Sequence, residues 1–129
     1  MSNLVKMNFA KKEDFLEAVG VDDKPLFLGT NQLIYEDGSL SVSLIVTYLE
    51  VVDGVPMLLR WEQHVGREKQ LTEENVKYLS DEQIEQVNAA MEKLNQKLSK
   101  TFDSLRDELK SRGCIVYDGY ITEEGDNEQ

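Results

Sequence analysis

A chain of 129 residues with 25 acids against 14 bases, net charge −11, and 40 % hydrophobic residues has the composition of one globular domain, neither disordered nor long enough for two. The charge excludes general binding to nucleic-acid phosphates, which needs a basic footprint. No run approaches the roughly 18 apolar residues of a membrane span, the start Met1-Ser2-Asn3-Leu4-Val5-Lys6 lacks a secretory apolar core, and the lone Cys114 allows no internal disulfide, so the expected setting is the cytoplasm.

Leu4 to Phe9 suits a short strand or an extended arm. Residues 11–19 predict a short helix closed by Gly20, with Phe15, Leu16 and Val19 turned inward. Asp22-Asp23-Lys24-Pro25 reads as a loop. Asp37-Gly38 and Asp53-Gly54 then fall between β-rich runs, the strongest short hairpin signal. With two-residue loops at both, Glu36 pairs with Ser39 and Val52 with Val55. The central strand then runs from Ser39 to Val52, roughly 46 Å at the usual rise.

That register sorts two faces. One holds Leu33, Tyr35, Leu40, Val42, Leu44, Val46, Tyr48, Met57, Leu59, Trp61 and Val65, and belongs in the core. The other is mixed: Ser41, Ser43, Ile45, Thr47, Leu49 and Val51 lie against Leu58, Arg60, Glu62 and His64. Its Ile45, Leu49 and Leu58 are too apolar for full exposure. They mark an expected interface, covered by the short N-terminal helix or by a second subunit.

Gly66-Arg67-Glu68-Lys69-Gln70 reads as a loop, and Thr72 as the cap of a short helix with Val76 and Leu79. The longest signal follows. Ser80 and Gln83 have capping-box spacing, Ile84, Val87, Met91, Leu94, Leu98, Phe102, Leu105 and Leu109 form one stripe, and Gly113 supplies the stop. Such a helix is roughly 48 Å long, matching the ribbon it is expected to lie on. Residues 114–117 predict a strand, Asp118-Gly119 a turn into Tyr120-Ile121-Thr122, and 123–129 an acidic tail without an apolar anchor, hence disorder. The expected fold is therefore α+β over residues 1–122: a short N-terminal helix, a three-stranded antiparallel meander, a long amphipathic helix on the sheet and a C-terminal strand.

The candidate chemistry is sparse. Ser43 opposite His64, with Glu62 nearby, has the residue types of a nucleophilic triad, but no strained nucleophile turn accompanies it. Arg60, Glu62, His64, Arg67, Glu68 and Lys69 form the densest charged neighbourhood, a candidate binding patch for an anion or a partner. A single His and a single Cys cannot assemble a soft-metal site, and the eight glycines are isolated, so no phosphate loop exists. No metal and no cofactor are expected. The acids do not form a DNA-like stripe: residues 81–113 carry 7 against 6 bases, whereas the last 16 carry 5 against none. The leading expectation is a non-enzymatic protein-interaction module (adaptor, chaperone-like or inhibitor), with a protein partner and homo-oligomer formation. A small-ligand binder or enzyme using Arg60 and His64 is the alternative, and an acidic nucleic-acid mimic the third.

Overall fold

The computed structural model describes residues 4–20 and 25–118. The expected loop at Asp22-Asp23-Lys24, the Tyr120–Thr122 strand and the tail at 123–129 lie outside those residues.

The second hairpin forms as its residues dictate. Asp53 and Gly54 take φ of 52° and 78°, the pair of left-handed residues whose turn matches strand twist. The strands β3 (Ser39–Val52) and β4 (Val55–Lys69) pair antiparallel, with Tyr48 opposite Leu59 and Val46 opposite Trp61. Ser43 pairs with His64 but Val42 pairs with Gly66, so Val65 is an extra residue. Such a bulge adds local twist and lets pairing continue beyond it. Residues 66–69, expected as a loop, are therefore the end of β4.

The first hairpin corrects the expectation. Gly38, at φ 84°, closes a three-residue loop of Glu36, Asp37 and Gly38. Tyr35 N–H donates to the Ser39 carbonyl at 3.0 Å, and Gly38 N–H to the Tyr35 carbonyl at 3.0 Å. In β2 (Pro25–Ile34), Ile34 consequently opposes Leu40 and Leu28 opposes Val46, one residue away from the two-residue-loop register. A slip of one inverts the faces. Leu26 and Leu28 turn into the core, buried to 1 % and 0 % exposure, while Leu33 and Tyr35 turn out of it.

The meander is the middle of a larger sheet. Strand β1 (Val5–Phe9) runs parallel to β4, and β5 (Ile115–Asp118) parallel to β2, in the order β1-β4-β3-β2-β5. The architecture is α+β, with a five-stranded mixed sheet rather than a three-stranded antiparallel one.

Helix α1 (Lys12–Val19) buries Phe15, Leu16 and Val19. These join one core with Leu44, Val46, Trp61 and the residues of the long helix, so α1 covers the same sheet face as that helix. It does not cover the Leu49–Leu58 face, where it was one of two expected occupants. A four-residue helix, α2 (Glu73–Val76), starts at Thr72, whose hydroxyl accepts from Asn75 N–H at 3.1 Å while Asn75 Oδ1 accepts from Thr72 N–H at 2.9 Å. Leu79 falls outside it.

Helix α3 (Asp81–Ser111) is 31 residues, about 46 Å. Ser80 and Gln83 cap it reciprocally at 3.2 and 2.9 Å. At the other end, Gly113 at φ 90° lets Cys114 N–H return to the Leu109 carbonyl at 3.1 Å and Gly113 N–H to Lys110 at 3.0 Å, which satisfies two of the last carbonyls. The expected stripe is only partly used. Leu94, Leu105 and Leu109 are buried, Met91, Leu98 and Phe102 pack partly, and no residue from 81 to 93 is fully buried. The C-terminal half of α3 thus lies on the sheet, fixed where Leu94 sits over Gly66. A Cβ at Gly66 would come within 2.9 Å of Leu94 Cδ1. Lys12 Nζ of α1 donates to Glu108 of α3. That bond first, then the charges of Lys12 and Arg112, outweighs partial burial and lowers the Glu108 carboxyl below its ordinary pKa. Among the described residues, no helix is long and apolar enough to cross a membrane.

Candidate binding face

With α1 and α3 on one side, the alternate residues of every strand form a second face, open among the described residues. The register places Ser43, Arg60, Glu62, His64, Arg67 and Lys69 on it together, and Ile45, Leu49 and Leu58 with them. Lys6 and Asn8 of β1 oppose Leu58 and Arg60. On the other flank, Phe27, Asn31 and Leu33 oppose Thr47, Ser43 and Ser41. Phe27 stacks on Tyr117 of β5, ring centroids 5.4 Å apart.

The central strand gives this face its shape. Ser41, Ser43 and Thr47 are short side chains, each under one-tenth exposed, between taller neighbours on β2 and β4, while Ser39 and Ile45, equally buried, extend the row. They form the floor of a groove. A buried hydroxyl needs a partner. Ser39 Oγ accepts from Arg67 Nε at 2.7 Å and itself donates to Asp37. Ser41 Oγ lies 3.4 Å from His64 Nδ1, Ser43 lies near enough to Glu62 to help lower its carboxyl pKa, and Thr47 donates to the Phe27 carbonyl at 3.4 Å.

This pairing takes the triad apart. Ser43 opposes His64 along the ladder, but its hydroxyl lies near Glu62, and the His64 ring faces Ser41 instead. Both serines sit mid-strand between β2 and β4, not on a strained strand-to-helix turn of the kind that presents a nucleophile. The arrangement suits recognition by hydrogen bonds and ion pairs. Among the described residues, no group of three or more His, Cys, Asp or Glu converges on a metal position.

Two ionised clusters punctuate the groove. Arg60 donates to Glu62 at 3.0 Å. Partial burial raises the Glu62 pKa, but bonds from Ser43 and Arg60, the Arg60 charge and a bond from Asn31 together lower it below its ordinary value. At the hairpin end, Arg67 lies over the Tyr35 ring, Cζ 3.6 Å from the centroid, and donates to Asp37 at 3.1 Å. The Ser39 hydroxyl, then its backbone N–H, then Arg67 hold the Asp37 pKa down at about 2. Between the clusters, Asn31, Leu33, Tyr35, Ser41, Ser43, Glu62 and His64 line a shallow concavity of about 370 Å³.

No family model, curated protein or solved structure matches this chain. The face must be read from its own residues.

Its charge is sorted by the sheet. Among the described residues the strands carry four bases, and all four (Lys6, Arg60, Arg67, Lys69) lie on the open face. Of the four strand carboxylates, only Glu62 joins them; Glu50, Glu68 and Asp118 lie on the helix side. Sequence reading missed Tyr35, Leu33, Asn31, Phe27 and Lys6 here. The signal was present: a glycine at the third loop position permits the three-residue hairpin, and Leu26 and Leu28 then alternate correctly into the core.

Proposed function

We propose that this protein is a non-enzymatic protein-interaction module, an adaptor, chaperone-like factor or inhibitor, that takes its partner on the open sheet face. The supporting observation is the composition of that face. It gathers every strand base among the described residues of a chain whose net charge is −11, and Leu49 at its end is exposed beside a buried Leu58. A face that carries no helix among the described residues and mixes apolar side chains with arginine has the make-up of interface hot spots. A photo-crosslinking residue placed at Ser43, compared with one at Glu92 on α3, tests the reading in cells. The module predicts one dominant adduct from position 43 that disappears with Arg60→Glu and Arg67→Glu. Equal adducts from both positions would reject it.

The concavity around His64 supports a second reading, a small-ligand site. In that case His64→Ala and Arg60→Ala abolish binding of the small molecule while leaving protein adducts intact.

A further inference from the structure

A half-buried glutamine interrupts the apolar row of β4. Leu59, Trp61 and Val65 turn into the core beneath the helices. Gln63, paired with the fully buried Leu44, occupies the same side of the sheet, where alternation calls for an apolar residue. Its amide has no hydrogen-bond partner among the described residues, although a polar group taken partly out of water ordinarily finds one. Gln63 instead lines a concavity of about 410 Å³, together with Lys12 of α1 and Lys100, Thr101, Ser104 and Glu108 of α3.

The helix above it breaks a second rule. Between Glu92 and Asp103, α3 carries Lys93, Lys97 and Lys100 and no acid, in a chain with 25 acids and 14 bases. Lys93 and Lys97 are i,i+4 neighbours and Lys97 and Lys100 i,i+3 neighbours, so like charges adjoin along about 10 Å of one helix face. Each such pair destabilises a helix, and none of the three lysines forms an ion pair with a carboxylate among the described residues. Towards the end of the helix, by contrast, Arg106 meets Asp103 and Asp118, and Arg112 meets Glu108. With Gln96, the three lysines line a second concavity of about 380 Å³, which shares Lys100 and Thr101 with the first.

We propose that these two adjoining concavities bind a compact oligophosphate, its charges met by Lys93, Lys97 and Lys100 and its orientation set by the Gln63 amide and the Ser104 hydroxyl. Such an anion turns both irregularities into contacts: it offsets the repulsion among the ammonium groups and accepts from the unpartnered amide. Glu108, the carboxylate at the site, is already engaged by Lys12 and Arg112. The Thr101 hydroxyl is spent on the Lys97 carbonyl at 2.7 Å and is not counted among the donors. Size and charge choose the ligand class. A net charge of −11 repels a nucleic acid or an anionic membrane, whose charge extends far beyond the patch. A short chain of phosphates fits within the concavities and lies inside one screening length of the lysines. This surface is not the open sheet face, and the inference stands without the proposed function.

Titration calorimetry with inorganic tripolyphosphate at low salt tests it, on the full chain, Lys97→Gln, Gln63→Leu and Arg67→Ala. The expected result is one-site binding that raises the unfolding temperature of the parent. Lys97→Gln should weaken it about tenfold, the loss of one charge-assisted hydrogen bond. Gln63→Leu should weaken it too, and Arg67→Ala should leave it unchanged. Because the first two variants remove like-charge neighbours and an unpartnered amide, both should unfold at no lower temperature than the parent without ligand, which separates lost binding from lost fold. Absence of binding at millimolar tripolyphosphate would overturn the proposal. So would binding lost in Arg67→Ala but kept in Lys97→Gln, which would move the anion to the open face. Full-strength binding by Gln63→Leu would reduce the site to a lysine surface without a built interior. Equal binding of a hexaglutamate peptide would assign the lysines to an acidic protein segment instead.

Discussion

The two faces of this sheet are made from alternate residues of the same strands, yet different forces hold them. On the helix side, Leu28, Leu44, Val46, Leu59 and Trp61 close against Phe15, Leu94, Leu105 and Leu109, and each fully buried side chain contributes roughly 1.5–3 kcal/mol. On the open side, hydroxyls, ion pairs and one arginine–tyrosine stack satisfy one another at the surface, where such pairs contribute about 0–1 kcal/mol. The main apolar cluster therefore lies on one face, whereas the other combines a small buried apolar part, Leu58 and Ile45, with the polar side chains suited to recognition.

Leu109→Ala should break this comparison most visibly if it is wrong. Leu109 is 1 % exposed and its carbonyl accepts the bond that ends α3, so urea unfolding should show a loss of about 2–5 kcal/mol. A loss below about 1 kcal/mol would mean that α3 is not anchored through its C-terminal half. Gly66→Ala sharpens the same point at the bulge. The new methyl meets Leu94 Cδ1 at 2.9 Å, and displacing a core side chain should cost about 1–2 kcal/mol. In a double-mutant cycle with Leu94→Val, the two losses should be less than additive; strict additivity would remove Leu94 from that contact.

The helix-covered face was far more legible in the sequence than the open one, for a physical reason. The Leu94–Leu109 stripe, the Ser80–Gln83 box and the Asp53-Gly54 turn are local signals, each set by residues within a turn or two. The register of β2 depends on whether Asp37-Gly38 closes a two- or three-residue loop, a single-residue difference that moves Leu33 and Tyr35 from core to surface. Arg67 and Lys69 were recognised as candidates but taken for loop residues, because a bulge at Val65 has no sequence mark stronger than the neighbouring glycine. The parallel edges were hidden for another reason: pairing Val5 with Met57 or Pro25 with Ile115 is a long-range choice that local periodicity does not encode. The half-used stripe at Ile84 and Val87 has the opposite lesson, since a regular apolar period does not say how much of it the sheet will cover.

On the open face the expected effects are smaller and of a different kind. Arg67→Ala removes the bonds to Ser39 and Asp37 and the contact with Tyr35, yet the site is half-exposed. Its thermal unfolding should move by no more than a few degrees, corresponding to about 1 kcal/mol, while partner adducts from position 43 fall away. A loss comparable to that of Leu109→Ala would make this cluster part of the fold's foundation and end the division between the faces.

The smallest effect is the dependence on pH at Asp37. Its folded pKa of about 2 lies below the ordinary aspartate value near 3.9, so the fold favours the ionised form. The resulting stabilisation is fully present above about pH 4 and is lost as pH falls toward 2. The carboxyl is at the surface, so screening keeps the effect small and salt-sensitive. Unfolding of the parent and of Asp37→Ala should therefore differ at pH 5 and converge on acidification toward pH 2, with the carboxyl carbon of Asp37 titrating below the ordinary range. A gap that persists unchanged at the acid end would assign the effect of Asp37 to the shape of its loop. The hydrogen bonds from Ser39 would then be a consequence of the three-residue turn, and the register of β2 would rest on Gly38 alone.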